Sequence, residues 1–184
     1  MGRLTVLVLG SAAGGGFPQW NCRCATCRLA WAGDVRVRPR TQASLAVSAD
    51  GENWLLINAS PDLPQQVRQS KVLHPRSGTR GSPIKAVLTG AEIDQVVGLL
   101  SLREREPFMV CATPATLAAL ADNAMFGVLA PDVVRPMAVI PGVPLMLPGE
   151  VEARVFMVPG KLPLYLEGEN PEIASSPAGR AQSA

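Results

Sequence analysis

Cys22, Cys24 and Cys27 fall within six residues as C-x-C-x-x-C, and they are three of the four cysteines in the chain. Thiolates are soft ligands, and this spacing lets neighbouring sulfurs on a tight loop point at one ion such as zinc. A tetrahedral structural zinc takes four ligands, so a fourth is expected from His74, from Cys111 or from residues outside this sequence. The plainer alternative is three free thiols in a loop. A second group lies in Thr89-Gly90-Ala91-Glu92-Ile93-Asp94-Gln95. There an expected strand ends and an expected helix begins, which is where α/β sheets form sites. Glu92 and Asp94 are hard oxygen ligands two residues apart, able to reach one cation. The local sequence by itself favours a simpler role, first-turn acids complementing a helix dipole.

Both groups depend on strands to position them. Residues 3–9 form a largely apolar, β-favouring run, and read as a central strand leading into Gly10, Gly14, Gly15 and Gly16. Those glycines do not give G-x-G-x-x-G, no helix clearly opens after them, and the Lys-Ser/Thr of a phosphate loop is missing, so a nucleotide site is not expected. Thr41 to Val47 alternates polar and apolar residues, Asp50-Gly51 signals a hairpin, and Trp54 to Ile57 returns. Ser60 or Asp62 can cap a short helix through about Ser70. Residues 71–83 read as a basic surface loop. Ile84 to Thr89 is a buried strand, and Ala91 to Arg103 shows helical spacing through Ile93, Val96, Val97 and Leu100. Phe108 to Cys111 is a further strand, with Cys111 expected in the core. Thr113 and Pro114 open a helix to about Phe126. Val133 to Val158 is expected as short strands turning at Pro141-Gly142, and Leu164 to Leu166 as one more. From Glu167 the composition becomes that of a disordered tail. The expected class is α/β with a mixed sheet.

Composition narrows the function. Of 184 residues, 47% are apolar and 17% charged, which describes a globular chain with a core. The net charge is only +2 and aromatics are 4%, so no nucleic-acid partner is expected. Arg36, Arg38 and Arg40 read as an ordinary solvated face. No run approaches the roughly 20 apolar residues of a membrane span, and the first residues read as a strand rather than an export signal. The cytosol is therefore the expected compartment, where clustered cysteines favour metal over disulfide.

Val8-Leu9-Gly10-Ser11-Ala12-Ala13-Gly14-Gly15-Gly16-Phe17-Pro18-Gln19-Trp20-Asn21-Cys22, with Cys24 and Cys27, resembles the coenzyme PQQ (pyrroloquinoline quinone) biosynthesis protein B family. So do Arg40-Thr41-Gln42, Trp54-Leu55-Leu56-Ile57-Asn58-Ala59-Ser60-Pro61-Asp62, Asp94 with Gly98-Leu99-Leu100-Ser101-Leu102-Arg103-Glu104, and Pro159-Gly160-Lys161 with Leu164-Tyr165-Leu166. The resemblance covers about residues 3–166; residues 1–166 are taken as one domain, and 167–184 as the tail. It implies a metallo-β-lactamase-like αββα sandwich, here its N-terminal portion, and a structural zinc on Cys22, Cys24 and Cys27. It also implies a part in PQQ biosynthesis, described for the family in two ways. One is a non-haem iron hydroxylase acting on the tyrosine ring of a Glu-Tyr unit cut from a precursor peptide. The other is a carrier of the cofactor or its precursor.

Asp94 matches the aspartate of the superfamily's His-x-His-x-Asp-His metal motif, so Asp94 and Glu92 are the expected catalytic pair, with Asp94 on an active-site iron. Positions 90, 92 and 95 of that motif are Gly90, Glu92 and Gln95 here, and the chain has one histidine in all. Imidazole is what iron and zinc sites usually use. A hydrolytic β-lactamase activity is not expected without the ligands that activate water. The chain is also short for the family, which makes a carrier or an inactive shortened copy the alternatives to catalysis. Apolar faces left bare by the shortening are expected to favour association, a homo-oligomer included.

Overall fold

The computed structural model describes residues 4–76, 78–158, Pro163 and Tyr165. Its centre is a six-stranded sheet whose strands lie side by side in chain order. β1 (Thr5–Gly10), β2 (Ser44–Ser48) and β3 (Trp54–Ile57) are antiparallel neighbours. From β3 onward the pairing is parallel, through β4 (Ile84–Leu88), β5 (Phe108–Ala112) and β6 (Val134–Ala138). The change follows from the connections. Asp50 turns β2 into β3 by accepting the N–H groups of Glu52 and Asn53 at 2.8 Å each, and Gly51 takes the φ of +73° that the turn needs. The later strands are joined by helical crossovers, which return the chain parallel.

The side chains of the sheet divide by the two-residue period of strands. Ala46, Leu56, Val87 and Val110 meet Leu63, Leu99 and Leu120 in one apolar cluster beneath the helices. The helices there include α2 (Leu63–Gln69), α3 (Ile93–Val96) and α4 (Pro114–Asp122). Leu55, Ala86 and Cys111 face the other way, toward Leu147 and Val151 of a hairpin formed by β7 (Leu145–Leu147) and β8 (Val151–Ala153). Cys111 is wholly buried there, as its apolar strand implies, and burial pushes its thiol up to about 11. On edge strand β1, Leu7 and Leu9 pack on the helix side while Val6 and Val8 remain 53% and 61% exposed.

β1 is antiparallel to β2, and β2 to β3, so β1 runs with β3 and with the parallel strands. Their C-terminal ends therefore share one edge of the sheet. This gathers the glycine loop, Asn58 to Asp62 and Thr89 to Gln95, the segments from which a site can be made.

Several local expectations change. The helix expected over 91–103 is a single α turn, α3, continued by a 3₁₀ segment over Val97–Leu102. The helix expected to Phe126 stops at Asp122, because the Asn123 side chain accepts the N–H of Met125 and starts a separate 3₁₀ turn. The surface loop expected from residue 71 begins with a 3₁₀ turn, Lys71–Leu73, that buries Leu73. A helix that was not expected, α1 (Ala25–Trp31), begins inside the thiol motif. Leu164, Leu166 and the stretch 167–184 lie outside the described residues.

Candidate metal centre and strand-end acids

Cys24 stands at the N-cap of α1, with extended backbone at φ −60° and ψ 167°, and Cys27 lies in the first turn. Cys22 precedes them on a bend closed by its N–H on the Gln19 carbonyl at 2.9 Å, and the Trp31 indole N–H donates to the Cys22 carbonyl at 3.2 Å. The helix start thus folds the chain so that all three Sγ atoms lie within 4.8 Å of one another. Sulfurs on one tetrahedral zinc sit about 3.8 Å apart, given Zn–S bonds of about 2.3 Å. A small contraction brings the three thiols to that spacing, so they fit three of the four positions of a zinc or similar soft ion.

The electrostatics suit that use. Cys24 is lowered to about 7, first by the Cys27 backbone N–H and then by the Cys22 side chain. Cys27 is buried, and its strongest single influence, the Gln19 backbone, lowers its pKa. Desolvation and the adjoining Cys22 and Cys24 thiols outweigh that, and its net shift is upward. One thiolate is ready near neutral pH, and a cation in the cluster would favour the rest.

Neither fourth ligand expected within the chain joins the group. His74 turns its Nε2 to the carbonyl oxygens of Val67 and Arg68, at 3.0 and 3.1 Å, closing the end of α2. Cys111 is in the sheet core. Among the described residues, the three thiols are the one cluster of three or more metal-ligating side chains.

The strand-end acids behave differently. Glu92 is the N-cap of α3 and forms a capping box with Gln95, whose Oε1 accepts the Glu92 N–H at 3.4 Å. That Oε1 also fills the space beside Gly90, 2.1 Å from where a Cβ there would stand. The Gln95 carbonyl accepts from the Ala59 N–H at 2.7 Å and from the Thr89 hydroxyl at 2.8 Å. Gly98 closes the packing: its N–H donates to the Ala59 carbonyl at 2.8 Å, and a Cβ on it would fall 2.2 Å from the Ser60 oxygen. Three of the four motif positions are therefore occupied with shaping the turn. Asp94 is half-buried beneath the glycine loop, with Oδ2 3.2 Å from the place of a Cβ on Gly14. The residues present do not fit an iron site: Gly90 offers no donor, Gln95 is engaged in the cap, and Glu92 with Asp94 gathers no third metal-ligating side chain among the described residues.

Two participants escaped the sequence reading. Tyr165, the single tyrosine, donates its hydroxyl to the Ala91 carbonyl at 2.5 Å. Burial and then the Glu92 charge push its pKa up. Its 74-residue separation from Ala91 left no local signal of this contact. Arg40, read as part of a solvated strip, lines a polar cleft with the glycine loop.

Comparison with known proteins adds kinship to this geometry. A family model described as a beta-lactamase superfamily domain matches residues 53–176. The coenzyme PQQ synthesis protein B of Methylorubrum extorquens strain AM1 is 54% identical over 179 residues, covering 92% of this chain and 57% of that protein. Its namesake in Ruegeria pomeroyi is 51% identical over 168 residues, covering 91% and 56%. The chain thus spans little more than half the length of these relatives. The crystal structure of Zn(2+)-bound PqqB from Methylobacterium extorquens superposes with a TM-score of 0.84 at 54% identity, over 90% of this chain and 55% of that one. A diphosphatase of the PhnP family shares the fold, with a TM-score of 0.60 at 24% identity over 78% and 54% of the two chains.

Proposed function

Because this chain belongs to the coenzyme PQQ synthesis protein B family and carries the metallo-β-lactamase fold of its superfamily, we propose that it serves PQQ biosynthesis as a zinc-stabilised binding protein for a tyrosine-derived precursor. Cys22, Cys24 and Cys27 would hold the zinc, which when bound neutralises their charge and fixes the loop after β1. A relative whose structure is Zn(2+)-bound supports that ion here.

The observation that carries the non-catalytic reading is the Gln95 amide, folded into the space at Gly90 and onto the Glu92 N–H. Hydroxylation of a tyrosine ring by iron, the other role described for the family, would need imidazole ligands; the family already varies positions 90 and 92, and here Gln95 also replaces the histidine expected of it at 95. The chain's own part is then to receive and orient a phenol-bearing peptide. The Tyr165 hydroxyl on the Ala91 carbonyl supports a phenol fitting at this strand end.

Purified protein should contain about one zinc per chain, as thiolate sites do, and should bind a Glu-Tyr peptide stoichiometrically by calorimetry. With added ferrous iron and oxygen it should leave the peptide unchanged by mass spectrometry. Oxygen-dependent gain of a hydroxyl on the tyrosine ring would overturn the non-catalytic reading.

A further inference from the structure

Cys24-Ala25-Thr26-Cys27 is a C-x-x-C pair with a third thiol, Cys22, beside it. All three cysteines are free, and their Sγ atoms lie within 4.8 Å of one another. They differ in access: Cys24 is exposed, Cys22 half-buried and Cys27 buried. A small oxidant therefore reaches Cys24 first, with a second sulfur within reach behind it.

Backbone geometry selects the partner. Cys24 is the N-cap of α1 and Cys27 its third residue, and the Arg28 N–H closes the first turn on the Cys24 carbonyl at 2.9 Å. Cα atoms three residues apart in a helical turn are about 5 Å apart, inside the range of about 4.4–6.8 Å that a disulfide spans. Cys22 is held differently. Its Sγ accepts the Cys24 N–H at 3.5 Å, and its carbonyl accepts the Trp31 indole N–H. A bridge from Cys22 to Cys24 would close across a single residue, a tighter and more strained ring than one across two. The fourth cysteine, Cys111, is wholly buried in the sheet and serves as an internal control.

We propose that Cys24 and Cys27 form a reversible disulfide when a peroxide reaches Cys24, and that the thiol site gives up its zinc when they do. The Cys24 sulfur attacks one oxygen of hydrogen peroxide, the O–O bond breaks, and one water leaves with Cys24 as its sulfenic acid. The Cys27 sulfur then attacks that sulfenic sulfur, the S–S bond forms, and the hydroxyl leaves as a second water. The two protons needed come from the thiols, or from solvent where zinc has displaced them. Two thiols lose two electrons in all, and one peroxide is reduced to two waters. A single remaining thiol does not hold the ion. The bridge keeps the first turn of α1 closed and releases Cys22 with the bend it closes on Gln19, so oxidation acts on the loop after β1 and spares the sheet. The disulfide rests on the sulfur geometry alone, and the loss of metal rests on the zinc reading.

The test treats purified protein with a small excess of hydrogen peroxide, alkylates the remaining thiols under denaturing conditions and digests with trypsin. Thiols should fall from four per chain to two. Trypsin cuts after Arg23 and Arg28, which places Cys24 and Cys27 on one peptide, 24–28, and Cys22 on the peptide before it. By mass spectrometry the 24–28 peptide should be unalkylated and two hydrogens lighter, while Cys22 and Cys111 are alkylated. A chromophoric chelator should record zinc release in step with the loss of thiols, and dithiothreitol should restore all four. Cys22→Ser should form the same bridge. A bridge joining Cys22 to either neighbour, oxidation of Cys24 that stops at sulfinic acid, thiols left unchanged by peroxide, or zinc retained after the bridge has formed overturns the proposal. Protein that is purified without zinc and still forms the bridge would leave the disulfide standing and count against the zinc reading alone.

Discussion

The thiol loop and the strand-end turn are the two regions that chemistry-bearing residues single out, and they are built in opposite ways. The thiols sit on a loop outside both apolar clusters: Cys27 is buried, but it belongs to neither. Local bonds and the start of α1 shape that segment, and its three sulfurs already converge. The strand-end turn is embedded, with Val96 and Leu99 in the main cluster and the polar groups of Thr89, Glu92 and Gln95, though not the Asp94 carboxylate, spent on one another. A site that an ion completes can be left underdetermined by the protein. A turn that completes itself with hydrogen bonds has little left to offer an ion.

Cys24→Ser gives the largest effect and tests the first half of this contrast. Removing one of three thiolates from an incomplete tetrahedron should drop zinc from about one per chain toward none by metal analysis. Because the loop lies outside the apolar clusters, loss of amide-exchange protection should concentrate around residues 17–32 while the sheet stays protected. Zinc retained at full occupancy in the variant would break the comparison from the metal side. Gly98→Ala comes next and tests the embedding of the other region. A Cβ 2.2 Å from a backbone oxygen cannot be relieved by a rotamer change, so the cost should be about 3 kcal/mol in denaturant unfolding. Its zinc content should be unchanged.

How much of this could be read beforehand depends on the range of the cause. The thiol motif, the Asp50-Gly51 hairpin and the Thr113-Pro114 helix start are set by neighbours in sequence, and all three stand where expected. α1 was not foreseen because its start coincides with the thiol motif, whose spacing reads as a ligand loop before it reads as a helix. The helix expected over 91–103 carries the right apolar spacing, but Gly98 packs its backbone against Ala59 and Ser60, and the segment tightens to 3₁₀. Ser60 or Asp62 was expected to cap α2, and Asp62 does stand at the N-cap, but without a side-chain bond to the helix. Instead Gln42, 20 residues earlier in the chain, takes that carboxylate. The Tyr165 contact with Ala91 and the cleft beside Arg40 likewise arise from segments that only the folded sheet brings together.

Gly90→Ala refines the contrast on a smaller scale. A methyl at position 90 would meet Gln95 Oε1, the movable end of a side chain, and should displace it from the Glu92 N–H. The cost should be about 1 kcal/mol, one hydrogen bond. In a Gln95→Ala background the same change should cost much less, because nothing is left to displace. Equal costs in both backgrounds would show that Gln95 does not fill that space.

Asp94→Asn should have the smallest effect, and it is informative for that reason. The Asp94 carboxylate has no hydrogen-bond or ion-pair partner among the described residues. An amide of the same shape fits beneath Gly14 as the carboxylate does. Stability should therefore shift by no more than about 0.5 kcal/mol, and zinc content should not change if, as proposed, the thiols supply the ligands. An aspartate that helped hold a tightly bound metal would behave otherwise. Its loss would lower total metal per chain while leaving the three thiols intact, and that result would give the strand end the role the present geometry assigns to the sulfurs alone.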